Sequence, residues 1–205
     1  MNNFLKRLLS SVILIPIILY LILLGSYFLI FFIILCFLLS CYEWNLIVKK
    51  INVKIYGIFF LIFSYYSFYM ISLDTKLVFF ILLICISTDI GGYFFGKLFK
   101  GPKLTKISPN KTYAGMIGSF FFSLISLIIF IEFFGYLYEP TKFFLITLII
   151  SIVSQIGDII VSFFKRVSNI KDTGNLIPGH GGLLDRIDGM IFVFPTLYLS
   201  NLTQL

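Results

Sequence analysis

Charge is scarce in this chain. Only 12% of its 205 residues are Asp, Glu, Lys or Arg, while 60% are hydrophobic and the mean hydropathy is +1.06. A disordered chain needs the opposite balance, and a soluble enzyme of this size would have too little polar surface to cover so apolar a composition. Cysteine is scarce too. Cys36, Cys41 and Cys85 all lie within apolar runs and have no metal-ligand spacing to the single histidine. That excludes a disulfide framework and leaves them as small apolar fillers. Alternation is missing as well: the apolar residues run continuously, which excludes an outer-membrane barrel. No segment repeats, so the inverted-repeat architecture of many transporters is not indicated. No Gly-x-x-x-x-Gly-Lys-Ser/Thr run occurs, so there is no Walker phosphate loop.

What the chain has is long apolar runs. A transmembrane helix needs about 20 such residues, so roughly seven helices would take about 140 positions and leave about 65 for loops. The expected fold is all-α, a polytopic membrane helix bundle without a separate soluble domain. The runs cover about Leu8–Leu24, Ser26–Tyr42, Tyr56–Leu73, Leu77–Phe95, Ala114–Tyr136, Lys142–Phe164 and Asp188–Leu202. Gly25 ends the first, and Glu43 and Trp44 close the second. The first run follows Lys6 and Arg7 but lacks a small-residue cleavage site, and another run begins at once, so it reads as a retained helix and not a signal peptide.

Seven crossings put the N-terminus and loops 45–55, 96–113 and 165–187 on one side. That side carries Lys6, Arg7, Lys49, Lys50, Lys54, Lys97, Lys100, Lys103, Lys106, Lys111, Lys165, Arg166, Lys171 and Arg186, which is 14 of the 16 basic residues. Only Lys76 and Lys142 fall on the other. The asymmetry makes the basic side cytoplasmic, and so explains a net charge of +7 without a nucleic-acid partner. Residues 1–75 carry no diagnostic motif and read as anchor and bundle. Residues 76–205 hold both long loops.

An ionisable residue within a span is a functional candidate by default. Asp89 lies eight residues before Lys97, and Asp158 seven before Lys165. At about 1.5 Å per residue both sit about two turns below the cytoplasmic end. A structural ion pair between helices is the other reading of each. Glu132 lies near the opposite face and reads as solvated. Loop 165–187 runs Lys165-Arg166, Lys171-Asp172-Thr173-Gly174, Pro178-Gly179-His180-Gly181-Gly182, then Asp185-Arg186-Ile187-Asp188. Its glycines permit a tight turn and close approach to a ligand, and consecutive loop N–H groups can cradle phosphate oxygens. Asp185 and Asp188, three apart, share a helix face. With Asp158 they would make an oxygen-rich cluster suited to Mg²⁺. Loop 96–113 places five lysines with Ser108 and Thr112, which suits anion recognition or anionic lipid headgroups. Ser108 or Thr112 is also placed to cap the helix that follows. Acids for metal, with bases and glycines for phosphate at a membrane, point to phosphoryl or nucleotidyl transfer on a lipid.

The run Ser162-x-Phe164-Lys165-Arg166-x4-Lys171-Asp172-x-Gly174-x2-Ile177-Pro178-x-His180-Gly181-Gly182-Leu183-x-Asp185-Arg186-Ile187-Asp188 resembles the signature of the phosphatidate cytidylyltransferases, or CDP-diacylglycerol synthases, over 27 consecutive residues. Asp89-x-x-Gly92-Tyr93-x-x-Gly96 and the Ser-Pro-x-Lys-Thr run at 108–112 resemble two further blocks, so the likeness covers roughly residues 85–202. It departs at Lys111-Thr112-Tyr113-Ala114-Gly115, where the family often has Lys-Thr-x-Glu-Gly, so no carboxylate acts at position 114. Family members are also commonly longer at the N-terminus, with more helices.

The resemblance implies that CTP and phosphatidate give CDP-diacylglycerol and pyrophosphate. It implies Asp158, Asp185 and Asp188 as ligands of Mg²⁺, with a second cation in some arrangements. It gives Lys165, Arg166, Lys171 and Arg186 to the phosphates of CTP or lipid, and His180 with the Gly181 and Gly182 backbone to the triphosphate. Asp172, Ser108, Lys111, Thr112 and Asp89 would complete substrate binding. It further implies a bacterial inner-membrane location, an active site facing the cytoplasm, and a homodimer. The rivals are a CTP-using lipid kinase, which would release CDP, and a small transporter using Asp89 and Asp158. A CDP-alcohol phosphotransferase is a weaker rival, because its Asp-Gly-x2-Ala-Arg motif is absent: Asp188-Gly189 is followed by Met190-Ile191-Phe192-Val193. The topology has a direct check. A cysteine introduced by Asp172→Cys should react with an impermeant thiol reagent only from the cytoplasmic side, and labelling only from outside would overturn the orientation.

Overall fold

A computed structural model describes residues 16–105, 108, 111–135, 140–174, 176 and 181–200. Among these the fold is helical, with an isolated antiparallel bridge between Lys103 and Thr112. Helix α1, described over 16–24, is divided from α2 (Ser26–Ile47) at Gly25, whose φ of +59° suits glycine. There follow α3 (Ile51–Ile71), α4 (Thr75–Phe99), α5 (Tyr113–Phe134), α6 (Pro140–Val167), the single turn α7 (Leu184–Ile187) and α8 (Met190–Leu199). Helices α2 to α6 are each long and apolar enough to cross a membrane, and α8 is a shorter apolar helix. The chain is therefore an all-α polytopic membrane protein.

Several helices outrun their apolar stretches. α4 continues through Lys97 to Phe99, and α6 through Lys165 and Arg166 to Val167. Lys and Arg are good helix formers, and a cation in the last turn complements the helix dipole. α2 likewise runs past Glu43 and Trp44 to Ile47. The last apolar run does not start as one helix at Asp188. α7 ends at Ile187, Asp188 and Gly189 form a turn, and α8 begins at Met190.

The chain forms two compact units, one of residues up to Thr75 with Phe164–Asp188, the other of Lys76–Phe163 with the residues from Gly189. In the first, α2 packs on α3. The Trp44 ring lies so close to Gly57 that a Cβ there would be 2.1 Å from it. Trp44 also meets Phe164 edge-on at 5.0 Å and donates its indole N–H to the Lys54 carbonyl. The Ser168 hydroxyl donates to the Ile47 carbonyl. The end of α6 and the residue after it, Phe164 and Ser168, are thus pinned to the last turns of α2.

In the second unit α4 and α5 cross with their backbones almost touching. A Cβ on Gly91 would be 2.3 Å from the Gly118 carbonyl oxygen, and one on Gly115 would be 2.8 Å from that of Gly92. Small residues are what allow such approach between helices in a membrane. Hydroxyls join the same helices: Ser87 to Ser126 at 2.5 Å, and Ser119 to the Thr88 carbonyl at 2.8 Å. Phe80 meets Phe130 and Phe143 at ring-centroid distances of 4.9 and 5.3 Å. A Cβ at Gly189 would be 2.3 Å from the Ser154 hydroxyl, which explains glycine at the start of α8. Gly118→Val should lower the melting temperature in detergent by more than ordinary core overpacking does, about 1–3 kcal/mol. Its added atoms meet a backbone carbonyl that cannot rotate away. An unchanged melting temperature would refute the close crossing.

Candidate functional site

Some of the polar residues singled out from sequence form an ion pair in each unit. In the first unit the last turns of α6 deliver Lys165, whose ammonium donates to Asp185 Oδ1 at 2.8 Å. Both side chains are largely buried, with 10% and 6% of their surface exposed. Asp185, in the single turn of α7, also ties the loop together. Its Oδ2 accepts from the Thr173 N–H at 2.7 Å and the Gly182 N–H at 3.0 Å, and lies 3.1 Å from the Thr173 hydroxyl. Burial pushes the Asp185 pKa up, but the hydrogen bonds from Lys165, Gly182 and Thr173 and the Lys165 charge outweigh it, leaving the group below its ordinary value. Gly181 has a φ of +88°, and a Cβ there would be 2.8 Å from Asp185 Oδ2. Arg166 is exposed and donates to the Ile170 carbonyl at 3.1 Å. Lys171, Asp172 and Arg186 are exposed, and Asp188 is half-buried. His180 lies outside the described residues, as does Lys106.

Sequence reasoning missed one member of this cluster. Glu43, from the last turns of α2, is 0% exposed. Its Oε1 accepts from the Leu183 N–H, and its Oε2 from the Leu184 N–H and the Thr173 hydroxyl, all at 2.8 Å. A Cβ at Gly182 would be 2.0 Å from the Thr173 hydroxyl and 2.5 Å from Glu43 Oε2, so only glycine fits. One signal was available: Glu43 has Leu39, Ser40, Leu46 and Ile47 at the helical i±3 and i±4 positions. With no local base to pair with, a buried acid must find donors elsewhere in the chain.

In the second unit Asp158, on α6, forms an ion pair with Lys111, the two side chains being 32% and 23% exposed. The Ser162 hydroxyl donates to Asp158 Oδ1 at 3.3 Å, and the Lys111 ammonium also lies 3.5 Å from the Gln155 carbonyl oxygen. Lys111 is placed by its loop: its N–H donates to the Ser108 carbonyl and its carbonyl accepts from Leu104. Of the two candidate caps it is Thr112 that acts, its hydroxyl oxygen accepting from the Gly115 N–H at 3.1 Å. Ser108 contributes instead its N–H, to the Thr105 hydroxyl. Asp89, Lys97, Lys100 and Lys103 are exposed, and the Lys97 ammonium sits 5.6 Å from the centre of the Tyr93 ring.

Among the described residues, no group of three or more His, Cys, Asp or Glu side chains is gathered to hold a metal ion. The donor chemistry still suits a hard cation, because the acids offer oxygen ligands. Asp158 fits that role best, with a third of its side chain exposed and a cationic ammonium already against it. Asp185 has both oxygens engaged by the loop. Each cluster thus sets a lysine side chain against a carboxylate.

Residues 55–203 match the cytidylyltransferase family. The chain is similar to a phosphatidate cytidylyltransferase of Staphylococcus haemolyticus, 46% identical over 111 residues covering 54% of this chain and 43% of the relative. It is 45% identical over 116 residues to that of Staphylococcus aureus, covering 56% of this chain and 45% of the relative. It is 43% identical over 123 residues to that of Bacillus subtilis, covering 59% and 45%. The chain spans about half the length of the curated relatives it matches.

The Lys165–Asp185 pair predicts a pH response. Because the folded Asp185 titrates below its ordinary value of 3.8, its contribution to loop order is complete above that value. It is lost only as pH falls through the lower, folded value. Lys165→Met leaves a buried carboxylate without its ammonium, which costs about 3–5 kcal/mol. The loop should then be cut by protease at neutral pH where the parent resists, and it should open on acidification at a higher pH than the parent's. Equal cleavage profiles would show that the pair does not hold the loop.

Proposed function

The chain belongs to the cytidylyltransferase family, and on that premise we propose that it transfers the cytidylyl group of CTP to phosphatidate, giving CDP-diacylglycerol and pyrophosphate. The observation that carries this reading is the buried Lys165–Asp185 ion pair, which lies within residues 55–203, the part of the chain that matches the cytidylyltransferase family. The lipid phosphate monoester has a second pKa of about 6, so it is already dianionic at neutral pH. No general base is required. The obstacle is the meeting of two highly negative reactants, and this chain's cations answer it. Lys165, Arg166, Lys171 and Arg186 neutralise the phosphates of CTP or of the lipid. His180 and the Gly181 and Gly182 backbone contact the triphosphate. Asp172, Ser108, Lys111, Thr112 and Asp89 complete the substrate sites.

Asp158, Asp185 and Asp188 would hold Mg²⁺, directly or through water, and with it a second cation where two are used. Such an ion neutralises the CTP phosphates and stabilises the pyrophosphate leaving group. Lys111, set against Asp158 by its loop, pairs with that carboxylate. The acyl chains enter sideways between the spans, since a lipid tail never needs to leave the apolar phase. The site faces the cytoplasm of a bacterial plasma membrane, as the placement of the basic loops favours, and the protein works as a homodimer.

The test is a radiolabel assay on the detergent-purified chain with phosphatidate, Mg²⁺ and CTP labelled at the α-phosphorus. Magnesium-dependent transfer of label into the organic phase is expected. Asp158→Asn should abolish that transfer while the protein still inserts in the membrane. Transfer of a γ-label instead would identify a CTP-dependent lipid kinase. Movement of neither label, in a folded sample, would sink the enzyme reading and favour the transporter.

A further inference from the structure

We propose that Glu43 is a positioning residue for the binding of the nucleoside triphosphate. It acts as a latch that sets the positions of Thr173 and of residues 181–186. This rests on the cytidylyl-transfer reading above and adds to it a residue upstream of the segment, 55–203, that matches the family.

The argument begins with the cost of burial. A carboxylate removed from water is unfavourable unless its oxygens are met by donors. Glu43 is fully buried, and its donors all come from one loop: the Thr173 hydroxyl and the Leu183 and Leu184 N–H groups. Those two N–H groups open α7, where no intrahelical acceptor exists for them. Carboxylate and loop therefore satisfy each other, and neither has another route to satisfaction in this arrangement. Hydrogen bonds to an ionised acceptor are roughly twice as strong as neutral ones.

The next step is transmission. The Thr173 hydroxyl lies 2.8 Å from Glu43 Oε2 and 3.1 Å from Asp185 Oδ2, and it has one proton to give. Glu43, the nearer acceptor, takes it. Asp185 is then left with the donors that define its orientation: the Lys165 ammonium and the Thr173 and Gly182 N–H groups. Glu43 thus decides how Thr173 points, Thr173 fixes Asp185, and Asp185 holds the Lys165 ammonium. Sterics agree, because the space a side chain at position 182 would occupy is filled by the Glu43 carboxylate and the Thr173 hydroxyl. Gly182 is explained by this contact, and its N–H is committed to Asp185.

A latch of this kind has a signature that mere support of the fold lacks. Structural damage lowers the amount of active protein, and so kcat, without changing either KM. Misplacing the triphosphate-binding loop raises KM for CTP alone. The full chain in detergent would be compared as parent, Glu43→Gln, Thr173→Val and the double variant. The measurements are kcat, KM for CTP and for phosphatidate, and hydrogen exchange of the amides across 172–186. Each single variant should raise KM for CTP about tenfold, the scale of one lost charge-assisted hydrogen bond, and leave KM for phosphatidate within about twofold. The double variant should be no worse than the worse single, because both changes cut the same link. Exchange should quicken over 172–186 and stay unchanged elsewhere.

A normal KM for CTP in both variants overturns the proposal. So does faster exchange spread over the whole chain with only kcat reduced. Should Glu43→Gln fail to fold, Thr173→Val alone decides, since it removes the hydroxyl link and leaves the Glu43 carboxylate in place. Exchange also separates this proposal from the reading it rests on. If the parent turns over no CTP, selective loosening of 172–186 in the variants upholds the latch while cytidylyl transfer falls, and no loosening removes both.

Discussion

A charge buried in so apolar a chain has to be met by the chain itself. Water cannot follow it, and the composition offers few counter-charges. The carboxylates of Glu43 and Asp185 are met by one ammonium, one hydroxyl and four backbone N–H groups, drawn from Thr173, Gly182, Leu183, Leu184 and Lys165. That demand fixes Thr173 and residues 181–184, the described residues that lead into α7, despite the wealth of glycine in that sequence. Gly181 and Gly182 belong to the same accounting. They leave room for Asp185, Thr173 and Glu43 to converge, and a Cβ at either position would collide with a carboxylate oxygen.

The spans were legible in the sequence because a membrane imposes a length and a composition, and uninterrupted runs of Phe, Ile and Leu satisfy both. Their ends were less legible. Hydropathy falls at Lys97 and at Lys165, but the helical backbone does not stop there, since lysine suits a helix C-terminus. The break between α7 and α8 was hidden for a different reason. Asp188-Gly189 is a turn-forming dipeptide, but the apolar run continues straight on from it, and the close contact of Gly189 with Ser154 is a matter of packing.

The site divides in the same way. The chemical types in loops 96–113 and 165–187 were readable from the sequence, and both ion pairs, Lys111–Asp158 and Lys165–Asp185, are made by residues singled out there. Partners were not readable, because they are set by distances the sequence does not contain. Lys111 and Asp158 are 47 positions apart and Thr173 and Glu43 are 130 apart. Lys165, read as a phosphate ligand from its motif, rests on Asp185 in the structure. Glu43 was the residue most easily overlooked. It stands near the end of an apolar run, where an acid ordinarily marks the return to solvent, and here the helix carries it onward into a protein interior.

The crossing of α4 on α5 at Gly91 and Gly118 has a consequence for how this protein can vary. At most core positions a substitution trades one volume for another, and neighbours adjust. Here main-chain carbonyls stand among the partners, beside the Phe95 and Phe122 side chains, and hydrogen is already the smallest side chain. The contact therefore has no smaller state to retreat to, and the carbonyls in it cannot swing aside for a larger one. An exposed position such as Ile128 carries no such constraint, while the two helices remain joined at one fixed spacing. The loop that carries Lys111 and the Thr112 cap ends at α5, so its anchorage inherits that spacing.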